Sequence, residues 1–274
     1  MEIEFKDMTF GYMGGSRNVL ENINLKIEGP GLVCIIGPNG VGKSTLVKMI
    51  NKLLKPTEGE VYIDGRPTSE MTQKDVAECV GFVPAGTMDV FSMTVIDTVL
   101  IGRHNKSRWK TTKRDLEVVH KVLDMLDLKD LSMRGFNELS AGQHQRVALA
   151  RGLVMETPAI ILDEPTSNLD VKHQVYVTEL LRAIAVQQNK LVIMICHDLN
   201  IAARYSHQII VLNKPGVVYK VGTPGEVMTQ ETIRNVYGID CEVIESDGSP
   251  HVILKSAFDD EEIEAKKEKE EAEA

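Results

Sequence analysis

The run Gly37-Pro38-Asn39-Gly40-Val41-Gly42-Lys43-Ser44-Thr45 sets three glycines ahead of a lysine and two hydroxyls, the spacing of a P-loop. Glycines let successive backbone N–H groups close around phosphate oxygens, and the positive end of a following helix favours their charge. A nucleotide polyphosphate is the ligand such a loop fits. Lys43 should reach the β- and γ-phosphates, Ser44 should offer its hydroxyl to Mg2+, and Thr45 should donate at the adjoining phosphates.

Two further constellations could work on that ligand. Ala159-Ile160-Ile161-Leu162 delivers Asp163 and Glu164 before Pro165 ends the run. At the carboxyl end of a parallel strand, Asp163 would hold magnesium through water and Glu164 would polarise a water attacking the γ-phosphate. A solvated acidic turn is the plain alternative. The apolar run Leu191 to Cys196 ends in His197-Asp198, and a histidine there could touch the γ-phosphate and hold the attacking water. Strand-end histidines are often only structural, so the weight of His197 comes from its position.

The elements that must place these residues are also readable. Leu32-Val33-Cys34-Ile35-Ile36 reads as a strand entering the loop. Leu46, Val47, Met49, Ile50, Leu53 and Leu54 recur at helical spacing after it, and Lys55-Pro56-Thr57-Glu58-Gly59 supplies the stop. Ser140 and Gln143 have capping-box spacing before Val147, Ala148, Leu149 and Leu153, so a second helix starts at Ser140 and offers a second anion site. One polyphosphate does not need two helix starts from one molecule, which points to a nucleotide held by another copy.

In order, Tyr12, the segment 37–45, Leu139-Ser140-Ala141-Gly142-Gln143, the strand 159–164, Ser167-Asn168-Leu169-Asp170 and His197 resemble the ATP-binding subunit of an ABC transporter, over about residues 2–225. The resemblance implies an α/β fold: a P-loop NTPase, ABC-type nucleotide-binding domain with a mixed sheet and an inserted helical subdomain. It implies ATP and Mg2+, catalytic roles for Glu164 and His197, and metal roles for Ser44 and Asp163. Nucleotide contacts fall to Tyr12, stacking on adenine, and to Gly37, Asn39, Gly40, Gly42, Lys43, Ser44 and Thr45. Ser140, Gly142 and Gln143 would serve the ATP of a second copy packed head to tail. Asp170 would communicate between the two sites or cap the next helix. The implied partners are that second copy, integral-membrane permease subunits at the cytoplasmic face of the membrane and, indirectly, a substrate-binding protein; nucleic acid is not among them.

Two departures stand out. Ala141 replaces the commoner signature glycine. Gly81-Phe82-Val83-Pro84-Ala85 matches a segment that in the family ends in glutamine, so Ala85 lacks an amide oxygen for magnesium or water, and water or Asp89 would have to substitute. ATP binding is then expected to survive while hydrolysis or its coupling is weakened.

The expected organisation is a nucleotide-binding domain at 1–225 with a helical insertion about 86–155, a short extension 226–258 and an acidic tail 259–274. Leu116, Val119, Leu123 and Leu126 mark a packing face in the insertion, and the family resemblance implies that a membrane subunit would dock on the surface around Ala85 to Arg103. Residues 95–103, 222–227 and 232–238 resemble segments of metal-chelate importers, which favours iron-siderophore, haem or cobalamin uptake. A soluble ABC-type ATPase of protein or iron-sulfur assembly, and a weakly hydrolysing scaffold, are the rival readings.

Composition agrees with a globular chain. Of 274 residues 43% are hydrophobic and 26% charged, enough for a sizeable core. The apolar runs fall far short of the roughly 18 residues of a spanning helix, and the start lacks the pattern of a secretory signal, which predicts a cytoplasmic protein. The net charge of -9 is concentrated in the tail, leaving a nearly neutral body with no basic face for duplex DNA. That tail is expected to be solvated and unstructured. Cys34, Cys79, Cys196 and Cys241 are too far apart in sequence for a Cys-x-x-Cys pair and read as buried reduced thiols.

Overall fold

The computed structural model describes residues 1–12, 14, 17–86, 93–104 and 111–256. Asp89 and the tail 259–274 lie outside the described residues. Alternating buried and exposed side chains build β1 (Glu2–Phe10) and β2 (Leu20–Glu28), which pair antiparallel. With β4 (Glu58–Ile63) and the short β5 (Arg66–Pro67) they form a sheet in the order β2-β1-β4-β5.

The central sheet has six strands. β3 (Gly31–Ile36), β7 (Ala159–Leu162) and β8 (Leu191–Ile195) are buried along their whole length, the pattern of parallel strands covered on both faces. With β6 (Val80–Val83), β9 (Gln208–Asn213) and the antiparallel edge strand β10 (Val217–Gly222), the order is β10-β9-β3-β8-β7-β6. The expected mixed sheet is therefore present.

Period-two alternation divides its side chains between two cores. Val33, Ile35, Ile161, Ile193 and Ile195 face the four-stranded sheet and α1 (Lys43–Ile50). Leu32, Cys34, Ile36, Ile160, Leu162 and Met194 pack on the other side. There they meet α5 (Ala141–Leu153), α6 (Val171–Gln187) and α7 (Leu199–Tyr205). Burial of each of these aliphatic side chains contributes about 1.5–3 kcal/mol.

Between β6 and β7 lie α3 (Val95–Leu100) and α4 (Lys113–Met125), both packed against α5. α2 (Gln73–Cys79) leads into β6. After β10 come α8 (Pro224–Val227), α9 (Gln230–Tyr237) and the hairpin of β11 (Asp240–Ser246) and β12 (Ser249–Ser256). Ile233, Val236, Cys241 and Val252 from this segment join the second core, so the extension shares the core of the sheet.

Four sequence expectations need correction. α1 stops at Ile50: Lys52 turns the chain with φ 52, and Leu53 is 54% exposed instead of continuing the apolar face. In α4, Val119, Leu123 and the capping Leu126 are buried, but Leu116 is exposed and Val122 takes its place in the core. Arg103, assigned to a docking surface, is 4% exposed, because its guanidinium turns inward to Asp115. All four cysteines are free, but Cys79, at the end of α2, is only half-buried. Among the described residues, no helix is long and apolar enough to cross a membrane.

Candidate functional site

Parallel pairing brings three strand ends to one edge. Cys34 pairs with Met194 and Leu162 with Met194, so the residues after β3, β7 and β8 emerge side by side. These are the loop starting at Gly37, the pair Asp163-Glu164, and His197.

The loop closes on itself. Gly37, Gly40 and Gly42 have φ values of 147, 75 and 104. A Cβ on Gly42 would lie 2.7 Å from Leu20 Cδ2, so a side chain there would meet packed core as well as backbone strain. Gly42 also caps α1, whose first N–H groups face the loop. The Lys43 ammonium, 6% exposed, donates to the Gly37 and Pro38 carbonyls at 2.7 and 2.9 Å, which places it at the loop's mouth. Burial lowers its pKa, while the carboxylates of Glu164 and Asp163 act against that loss of charge. Asn39 is exposed at the tip of the loop.

The acidic strand end meets the loop directly. The Ser44 hydroxyl donates to Asp163 Oδ1 at 3.1 Å. Asp163 is 4% exposed; burial raises its pKa, and the Ser44 hydrogen bond pulls it back down. A hydroxyl and a carboxylate converging at a phosphate loop are the hard oxygen donors that suit Mg2+, so these residues fit that ion. The Asp163 N–H donates to the Val83 carbonyl at 2.9 Å, which ties this strand end to the segment entering Ala85.

Glu164 adopts φ 52, a left-handed conformation costing roughly 1–2 kcal/mol for a residue with a side chain. Its carbonyl accepts from Ser167 Oγ at 3.1 Å and Gln145 Nε2 at 3.4 Å, which hold the turn. The turn aims the carboxylate at His197, whose Nε2 lies 2.6 Å from Glu164 Oε1. An imidazole at that distance fixes the orientation of the carboxylate, the arrangement a water-activating group needs. Gln145 escaped the sequence reading. Its signal was a glutamine in the inward register of α5, where it is 3% exposed.

Tyr12 joins the same edge. Its hydroxyl lies 3.3 Å from Thr45 Oγ1, and its ring meets Phe10 edge to face at 4.9 Å. It is 48% exposed, which suits an aromatic platform for a base beside the loop.

The remaining expected residues stand apart. Ser140 and Gln143 form the expected capping box with each other, at 2.9 and 3.3 Å. An added Cβ on Gly142 would face Asn168 O and Leu169 Cδ2 at 3.6 Å, so the start of α5 lies along the 167–170 segment. Asp170 caps α6 through the His173 N–H at 2.9 Å and also binds the His173 ring. That backbone bond, then the ring bond, lowers its pKa. Among the described residues, no hydrogen bond joins this second group to the phosphate loop.

The chain is similar in sequence and fold to known proteins. The family model of the ABC transporter matches residues 20–167. An ABC transporter ATP-binding protein of Methanocaldococcus jannaschii, MJ0089, is 43% identical over 87% of this chain and 92% of its own length. The iron(3+)-hydroxamate import ATP-binding protein FhuC of Bacillus subtilis is 34% identical over 87% of this chain and 88% of that protein. The ferric enterobactin transport ATP-binding protein FepC of Escherichia coli is 34% identical over 90% and 92%. Among solved structures, an inward-facing metal-chelate type ABC transporter has a TM-score of 0.78 at 27% identity, covering 92% of this chain and 96% of that one. The dimeric ATP-binding cassette MJ0796 bound to ADP and Pi has a TM-score of 0.74 at 33% identity, covering 81% and 98%.

Proposed function

The chain belongs to the ABC transporter ATP-binding family, and from that premise we propose that it binds and hydrolyses ATP to drive an importer of a metal chelate such as an iron-siderophore. The observation that carries the catalytic part is the convergence of the Lys43 loop, the Ser44–Asp163 pair and the His197–Glu164 pair at one sheet edge. The relatives named for hydroxamate and enterobactin uptake support the cargo class.

In this reading Tyr12 stacks on adenine, and the N–H groups of the loop from Gly37 to Thr45, with Lys43, grip the β- and γ-phosphates. Ser44 and Asp163 hold Mg2+, which when bound neutralises phosphate charge. Glu164 takes the proton of the water that attacks the γ-phosphorus, and His197 keeps that carboxylate aimed. The bond from the γ-phosphorus to the bridging oxygen breaks, giving ADP and inorganic phosphate. Two copies form the working unit, seated on permease subunits at the cytoplasmic face of the membrane. Ser140, Gly142 and Gln143 of each copy meet the ATP of the other, and Asp170 lies beside that junction. A substrate-binding protein would deliver the chelate to the permease.

Glu164→Gln tests this reading: it removes the proton acceptor and keeps the shape. Phosphate release should fall by about 10²–10⁴-fold while ATP affinity stays within a few-fold. Turnover that persists at the unaltered rate would overturn the assignment.

A further inference from the structure

The start of α5 is held by more than its own cap. Its fourth residue, His144, folds back over the chain that leads into the helix. The imidazole stacks on the Phe136 ring, with centroids 4.4 Å apart and planes inclined by 28°. Its Nε2 lies 2.6 Å from the Phe136 carbonyl oxygen, and since a carbonyl only accepts, Nε2 carries the proton and donates. Phe136 is a firm post for this bond. It is buried, and its N–H donates to the Met93 carbonyl at 2.9 Å. Beside it the Val95 N–H donates to the Arg134 carbonyl at 3.0 Å, so the post is part of the chain entering α3.

We propose that His144 is a positioning residue for the second anion site: it fixes the angle at which the chain enters α5, and so the direction in which the Ser140–Gln143 start meets the ATP of the other copy. The inference rests on the paired-subunit reading above. Within the first turn, the Gln143 N–H is held by Ser140 Oγ at 3.3 Å and the His144 N–H by the Ser140 carbonyl at 2.9 Å, which leaves the Ala141 and Gly142 N–H groups for a phosphate. Neither bond sets how that turn sits on the rest of the fold. Asn137, Glu138, Ser140 and Ala141 are exposed, and Leu139 alone of this stretch packs inward. One apolar contact lets the turn pivot; a directional bond at a second point stops it. An apolar fourth residue could pack against the residue before the cap, the usual hydrophobic staple, without holding the Phe136 carbonyl. A start ordered before the two copies close loses less entropy on closing, so this bond acts on the affinity of one copy for the other.

His144→Phe keeps a stacking ring and removes the donor, whereas His144→Gln removes the ring and places an amide N–H where Nε2 stood. Both are made in the full chain carrying Glu164→Gln, which holds Mg-ATP long enough for its dimer to be followed by sedimentation. One neutral hydrogen bond carries roughly three- to tenfold, and each dimer closes two such starts, so the dimer dissociation constant of His144→Phe should rise about tenfold or more. Mg-ADP binding, which needs only the loop of one copy, should stay within about twofold, and His144→Gln should return the dimer constant to within about threefold of its parent. An unchanged dimer constant in His144→Phe overturns the proposal, as does a rise that His144→Gln fails to reverse or that a loss of Mg-ADP affinity accompanies. If the Glu164→Gln parent itself stays monomeric in saturating Mg-ATP, the paired-subunit reading fails first and this inference with it.

Discussion

Ala85 follows β6 one residue beyond Pro84, and its strand is tied to the catalytic edge by the Asp163 N–H on the Val83 carbonyl. Its methyl group is exposed and offers no oxygen to water or metal at the place where the family carries a glutamine. Ser44 and Asp163 therefore supply the described side-chain oxygens on that side of the loop. Ala85→Gln would add a carboxamide without disturbing a core position. We expect ATP turnover to rise by roughly tenfold, about 1.4 kcal/mol of transition-state stabilisation, or transport per ATP to increase. Parallel ATPase and uptake assays check this, and identical values in both would dismiss a cost at Ala85. The residues proposed to grip phosphate were legible because they are contiguous: nine positions from Gly37 to Thr45 hold a loop and a helix start. The left-handed Glu164 and the bonds from Ser167 and Gln145 were not, because no local pattern requires an ordinary residue to adopt positive φ.

Among the elements, α3, α4 and α5 are locked together by one buried cation. Arg103, just after α3, reaches Asp115 in the first turn of α4 at 2.8 Å, and the Val154 carbonyl and Glu156 beyond α5 at 2.7 Å each. Asp115 also closes the capping box of α4 with Thr112. The Thr112 hydroxyl and N–H, then Arg103, lower its pKa from 3.8 to about 2 against the opposing effect of burial. A depressed acid stabilises the fold above its unfolded pKa and loses that contribution as pH falls towards the folded value. Asp115→Asn should therefore cost about 2 kcal/mol at pH 7 and roughly half of that at pH 3. Urea unfolding at both pH values measures the gap; a gap that stays constant would show that the carboxylate charge is not its source. The capping boxes at Thr112 and Ser140 are local signals three residues long, and the latter was read correctly from the sequence. The inward turn of Arg103 depends on partners 12 to 53 residues away, so a surface role was the natural misreading.

For the whole molecule the question is why two helix starts suited to anions exist and do not meet. The start of α1 belongs to the phosphate loop, whereas the start of α5, exposed at Ser140 and Ala141, carries the Ser140–Gln143 capping box and lies along the 167–170 segment. A head-to-tail pair resolves this, because each exposed start then covers the loop of the other copy. Complementation separates this arrangement from a site complete within one chain. Lys43→Ala disables one side of the interface and Ser140→Arg the other, so each variant alone should be inactive. In an equal mixture, half of the randomly formed dimers carry one site built from two intact halves, so about a quarter of the unaltered turnover should return if the sites act independently. The recovered rate should depend on the mixing ratio and peak at equality. A mixture as inactive as its components would mean that both helix starts act within one chain, and the paired-subunit reading would fail.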